Sequence, residues 1–180
     1  TGLFLACDGM TRTIQARLAV VLAAGGYGRD PARRKEMHSA PGTDYSPAAP
    51  GHTGEMQTLA LALGARFGEG NRDNAFWAPV SVRKRGDGST AIFPHFVLDR
   101  SKPGTACVDQ RGNRFVNEST SYHNFARAMF EANRSAPCIP CFIITDAVGL
   151  RKYGLGMVRM GTRNLRPYLA DGYLTECAST

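Results

Sequence analysis

Cys138-Ile139-Pro140-Cys141 is the one closely spaced thiol pair among five cysteines. A C-x-x-C unit can supply a redox dithiol or half of a tetrahedral zinc site. No second C-x-x-C or close Cys/His pair completes such a site, and Cys7, Cys107 and Cys177 are widely spread. The apolar flanks favour structural thiols at the approach to a strand over a ligand pair or dithiol, so no metal is expected. An odd number of scattered cysteines in a chain that needs no staples suits a reducing, cytoplasmic location.

Gly25-Gly26-Tyr27-Gly28 carries chemistry of another kind. Glycines there let the backbone turn sharply and approach a ligand that a side chain would block. Formal charge is +7, from 22 Lys plus Arg against 15 Asp plus Glu, which permits a polyanionic partner. The basic residues come in short groups, Arg33-Arg34-Lys35 and Arg83-Lys84-Arg85, without interleaved aromatics. Nucleic acid is therefore not the expected partner, because a stacking platform is missing.

Elements must position these groups. The chain has 180 residues, 43% hydrophobic and 21% charged, enough for one ordinary globular domain. No apolar run reaches membrane-spanning length. The opening residues, Thr-Gly-Leu-Phe-Leu-Ala-Cys-Asp, lack an initiator Met and a secretory start, and read as the inside of a longer polypeptide.

The spacing predicts strands over 3–6 and 12–17 about a turn at Asp8-Gly9, then a strand over 18–24 buried on both faces. A short helix follows over 30–37, with Asp30 capping and Pro31 in the first turn. Residues 39–51 read as loop. The run from Met56 reads as a helix buried on most sides and ended by Gly64. Short strands with turns at Gly70-Asn71, Gly86-Asp87-Gly88 and Pro103-Gly104 come next, including a hairpin over 105–116. A helix over 122–133 carries Phe125, Met129 and Phe130 on one stripe. A strand over 141–145, a short helix over 146–152 and mostly irregular chain complete the reading.

At Ala23-Ala24-Gly25-Gly26-Tyr27-Gly28 the chain resembles the flavoprotein superfamily of fumarate reductase and succinate dehydrogenase flavoprotein subunits and 3-ketosteroid delta-1-dehydrogenases. Three further segments agree in order and spacing. They are His52-Thr53-Gly54-Glu55-Met56 leading to Ala62-Leu63-Gly64-Ala65; Pro103-Gly104 through Gly112-Asn113-Arg114-Phe115-Val116-Asn117-Glu118; and Ile144-Thr145-Asp146 through Arg151-Lys152-Tyr153-Gly154-Leu155-Gly156.

The resemblance implies an α+β fold, with a partial, Rossmann-like FAD-binding domain over 1–70 followed by an α+β capping or substrate domain over 71–180. It implies FAD as cofactor, held by Ala23, Gly25, Gly26, Thr53, Gly54 and Glu55. The G-x-G-x-x-G turn that seats the pyrophosphate is not in this chain, nor is the C-terminal flavin-binding segment, so the piece alone is expected to bind FAD weakly or not at all and to be inactive. The remainder of its own flavoprotein chain is the implied partner.

Tyr122 is the most diagnostic position. Fumarate reductases carry a proton-donating Arg here, whereas the ketosteroid dehydrogenases use a tyrosine from this segment as the base while flavin N5 accepts a hydride. The resemblance therefore implies a 3-ketosteroid delta-1-dehydrogenase-like enzyme acting on CH–CH bonds of a ketosteroid or a similarly bulky, uncharged, hydrophobic ketone. The alternatives are a fumarate-reductase-like enoate reductase and a non-catalytic basic binding domain. Such a phenol works best with its pKa drawn toward neutrality, and His123 is a candidate neighbour. His95 and Arg100 are expected to be structural or to approach the substrate. Phe76, Trp77, Phe93 and Phe96 either line a pocket or form core, and Asn117, Glu118 and Arg114 are expected to hold the loop together.

Overall fold

The computed structural model describes residues 2–38, 45–68 and 73–177. The expected turn at Gly70-Asn71 lies outside the described residues. The chain divides into two compact units, Thr1–Arg34 with Ala48–Glu69 and Lys35–Pro47 with Gly70–Thr180.

In the first unit, β1 (Gly2–Cys7) and β2 (Met10–Gln15) form an antiparallel hairpin in which Cys7 faces Met10. Asp8 and Gly9 both take positive φ, 51° and 75°, as a two-residue hairpin turn demands. The expected buried strand over 18–24 does not form, and Leu18 is 90% exposed. An apolar run becomes a buried strand only between neighbouring strands, and none pairs with it among the described residues.

Helix α1 (Pro31–Met37) starts as its sequence requires, with the Asp30 carboxylate accepting the Ala32 and Arg33 N–H groups at 3.0 and 3.1 Å. Helix α2 (Glu55–Ala62) ends before Gly64, whose φ of 90° stops the helix. Its expected burial is not found. No α2 residue is buried and Leu59 and Leu61 are exposed, because the leucines point around the whole circumference and the small unit covers only one side.

The second unit contains the hairpin of β3 (Val80–Lys84) and β4 (Thr90–Pro94), the short α3 (Val97–Arg100), and a second antiparallel pair, β5 (Ala106–Val108) with β6 (Phe142–Ile144). Helices α4 (Tyr122–Ala132), α5 (Ala147–Tyr153) and α6 (Arg166–Ala170) complete it. Side chains start two of them: Ser121 Oγ accepts the Asn124 N–H and Asp146 the Gly149 N–H. Cys107, Val108, Phe125, Ala126, Cys138, Leu150 and Val158 form the core.

The expected hairpin over 105–116 forms only in part, and β5 pairs with β6. Its return arm is reduced to one bridge, Val108 with Arg114, and the Asp109 N–H on the Asn113 carbonyl. The cause is the Cys107 N–H, which donates to the Glu118 carboxylate at 2.9 Å instead of to a returning strand. Helix α6 stands where irregular chain was expected. Pro167 in its first turn and the Asn164 side chain accepting the Arg166 N–H are ordinary start signals.

Candidate functional site

In the first unit the glycine turn and the 53–55 segment are stitched together. Arg29 N–H donates to the His52 carbonyl at 2.8 Å, and the Arg33 guanidinium donates to the Gly54 carbonyl at 3.0 Å and to Thr58 Oγ1 at 2.7 Å. Gly25 and Gly54 take φ of 81° and 77°. A Cβ on Gly25 would lie 2.9 Å from the His52 ring, and one on Gly54 2.7 Å from Arg33 Nη1 and 2.9 Å from Tyr27 Cβ. Both glycines therefore close the protein onto itself.

Gly26 differs, since the space a Cβ would fill there is open. Ala23, Thr53 and Glu55 are exposed, with Thr53 Oγ1 donating to Glu55 Oε1 at 3.3 Å. Tyr27 is buried between the two segments. Burial raises its phenol pKa, against a smaller pull downward from Arg33, so it stays neutral.

In the second unit Tyr122 is the first residue of α4, half-buried, with its ring edge-on to Phe96 at 5.3 Å. His123 does not serve it. Its Nδ1 accepts the Trp77 N–H at 3.1 Å, and its Nε2 lies 3.4 Å from Asp73, which also accepts from the Trp77 indole at 3.1 Å. The exposed Phe76 ring lies against His123. Trp77 packs edge-on to Phe130 and Phe93 to His95, both half-buried, while Phe76 and Phe96 flank the start of α4.

His95 and Arg100 are both buried. His95 Nδ1 lies 2.5 Å from Asp99 and Nε2 2.7 Å from Ser81 Oγ, which meets the Tyr173 hydroxyl at 2.7 Å. Lys102 and the Gly156 N–H also bond Asp99. Burial works against the Asp99 charge, but hydrogen bonds from His95 and Lys102 win and hold its pKa at about 2. The sequence signal for this cluster was His95-x-x-x-Asp99, one helical turn apart. Ser81 and Tyr173 gave no such signal.

Glu118 is buried and held by Arg114, with oxygen distances of 2.6 and 3.1 Å, so the loop before α4 is fixed as expected. Burial pushes the Cys107, Cys138 and Cys141 thiols up to about 12, 11 and 12. All five cysteines are free, and no cluster that could hold a metal occurs among the described residues. Of the basic groups, Arg33 is engaged at Gly54 and Arg83 pairs with Asp171 at 2.6 Å. No helix among the described residues is long and apolar enough to cross a membrane.

A family model described as an FAD binding domain matches residues 1–163. The 4-oxocyclohex-2-ene-1-carboxylate 5-dehydrogenase of Sinomonas cyclohexanicum is 34% identical over 165 residues, 91% of this chain and 28% of its own. The 3-oxosteroid 1-dehydrogenase of Mycolicibacterium smegmatis is 28% identical over 176 residues, 94% of this chain and 29% of its own. The crystal structure of 3-ketosteroid delta1-dehydrogenase from Sterolibacterium denitrificans, in complex with 1,4-androstadiene-3,17-dione, matches with a TM-score of 0.74 at 29% identity. That match covers 95% of this chain and 30% of the other. The chain thus spans under one third of the length of these relatives.

Proposed function

Because the chain belongs to the FAD binding domain family, we propose that it forms part of an FAD-dependent dehydrogenase that acts on the CH–CH bond of a cyclic ketone. The observation that carries the reading is Tyr122, a half-buried phenol at the start of α4 with an aromatic ring beside it. It stands where a fumarate-reductase-like enzyme would need an arginine. A tyrosine, as its phenolate, can take a proton from carbon next to a carbonyl, but it cannot clamp a dicarboxylate as a guanidinium does.

The first unit fits FAD. Gly26 leaves backbone open to close approach, and Ala23, Thr53 and Glu55 are exposed beside it in the same stitched segment. With Gly25 and Gly54 holding the turn, these six residues would hold the cofactor, whose backbone contacts tune it. FAD, when bound, supplies the acceptor for the hydride. Tyr122, as its phenolate, would take the proton at its oxygen and become the neutral phenol, and Phe96 offers an apolar wall for a flat ring. Residues 1–70 serve as cofactor-binding part and 71–180 as cap over the substrate.

The substrate class separates by experiment. The complete FAD-loaded protein is titrated anaerobically with a saturated 3-ketosteroid and, separately, with 4-oxocyclohexanecarboxylate. Bleaching of the flavin band by the steroid supports the bulky, uncharged ketone, which we favour. Bleaching by the carboxylate alone moves the assignment to small carboxylated rings, and bleaching by neither overturns the dehydrogenase reading. Tyr122→Phe is expected to lower kcat by about 100-fold or more, and unchanged turnover would remove Tyr122 as the base.

A further inference from the structure

We propose that Arg100 is a positioning residue that fixes Tyr122 against Phe96, an inference resting on the reading of Tyr122 as the proton-abstracting base. The Arg100 guanidinium is fully buried. Its Nε donates to the His95 carbonyl at 2.9 Å, Nη1 to the Glu118 carbonyl at 2.7 Å and Nη2 to the Thr120 carbonyl at 2.9 Å. Its face lies 4.2 Å over the Phe125 ring.

These contacts converge on one joint. His95 immediately precedes Phe96, Glu118 and Thr120 lead into Tyr122, and Phe125 is the next turn of α4. One planar group thus holds both chain segments that carry the aromatic pair. The His95 end is fixed further by its ring, bonded to Asp99 and Ser81.

A buried cation ordinarily sits opposite a carboxylate, because its desolvation is costly. The nearby carboxylates are committed elsewhere, Asp99 to His95 and Lys102 and Glu118 to Arg114 and the Cys107 N–H. No ion pair to Arg100 occurs among the described residues. The cost is offset by three charge-assisted hydrogen bonds to backbone and by the aromatic face. Lysine, a point charge on a flexible stem, cannot reach three divergent carbonyls in one plane. A displacement of a reacting group by about 1 Å can cost about 100-fold in rate, so the loss of this grip is expected in kcat.

The test is a double-mutant cycle in the complete FAD-loaded protein, using a ketone that turns over. Arg100→Lys is expected to lower kcat by about 10- to 100-fold with little change in KM, and to raise the deuterium isotope effect for substrate labelled at the carbon that loses its proton. In a Tyr122→Phe background the same change is expected to cause no further loss. Unchanged kcat, or losses that multiply independently, overturn the positioning role. If Arg100→Lys does not load FAD, Phe96→Leu takes its place, with the same kcat loss and non-additivity expected and unchanged kcat overturning the proposal. Full turnover by Tyr122→Phe instead overturns the base reading and this inference with it, whereas a crippled Tyr122→Phe beside a normal Arg100→Lys sinks only the latter.

Discussion

The carboxylate of Asp99 lies 2.5 Å from His95 Nδ1, and the two side chains are only 11% and 5% exposed. Lys102 Nζ is 2.6 Å from the other oxygen, and the Gly156 N–H donates to both. A carboxylate so surrounded is needed in its charged form.

Acid should therefore release it. Its folded pKa of about 2 lies below the ordinary 3.8, so the stabilisation is present above pH 4 and is lost as pH falls through about 2. The shift corresponds to about 2 kcal/mol at neutral pH. Urea melts of wild type and Asp99→Asn at neutral pH and at stepwise lower values check this. The gap between them should shrink by about that amount from pH 4 to 2, and a constant gap contradicts it.

Gly156 takes φ of 56°, and a Cβ there would run into the Tyr173 hydroxyl and lie 3.1 Å from His95 Cε1. Gly156→Ala is expected to cost about 2 kcal/mol or more, from left-handed backbone and steric conflict together. Tyr173→Phe removes the obstructing oxygen, so the double variant should lose less than the two single losses combined. Strict additivity in thermal unfolding would show that the two residues do not meet.

The thiols should divide by burial. Cys7 and Cys177 are exposed, whereas burial holds the Cys107, Cys138 and Cys141 thiols in their unreactive neutral form. An aromatic disulfide reagent at pH 8 should therefore titrate two thiols rapidly in the native protein and five after denaturation. Rapid reaction of Cys141 would restore the redox reading of the C-x-x-C pair.

Glu118 separates charge from hydrogen bonding. Arg114 is 63% exposed, so losing its ion pair in Glu118→Gln should cost at most about 1 kcal/mol. Glu118→Leu also strips the buried Cys107 N–H of its acceptor, adding about 1–3 kcal/mol. Equal unfolding midpoints for the two variants would locate the effect in the ion pair alone.

Local chemistry was the legible part of this fold. Asp8-Gly9, Asp30-Pro31, Ser121 and Asp146 each act within a few residues, so the hairpin turn and helix starts could be read from spacing. The shortening of the hairpin after β5 could not, because it depends on a carboxylate eleven residues on taking one N–H. Nor could the exposure of residues 18–24 and of α2, which is decided by what surrounds them rather than by their own apolar character.

The site divides the same way. Tyr122 and the glycine turns stand out through a resemblance of motifs, but the orientation of His123 is set by Trp77 N–H, 46 residues earlier. Arg100 reads as an ordinary basic residue after Asp99. Only the folded chain brings three carbonyls to its fork.

A single line of hydrogen bonds runs from the Met157 N–H through Tyr173, Ser81 and His95 to Asp99. The Met157 N–H occupies one face of the Tyr173 oxygen, so with Nε2 accepting, Tyr173 donates to Ser81, Ser81 to Nε2, and Nδ1–H to the carboxylate. Every hydrogen in the row then points toward the anion. The seam joining β3 to residues 156–173 is thus oriented like a compass needle by one buried charge at its end, and discharging that anion removes what aligns it.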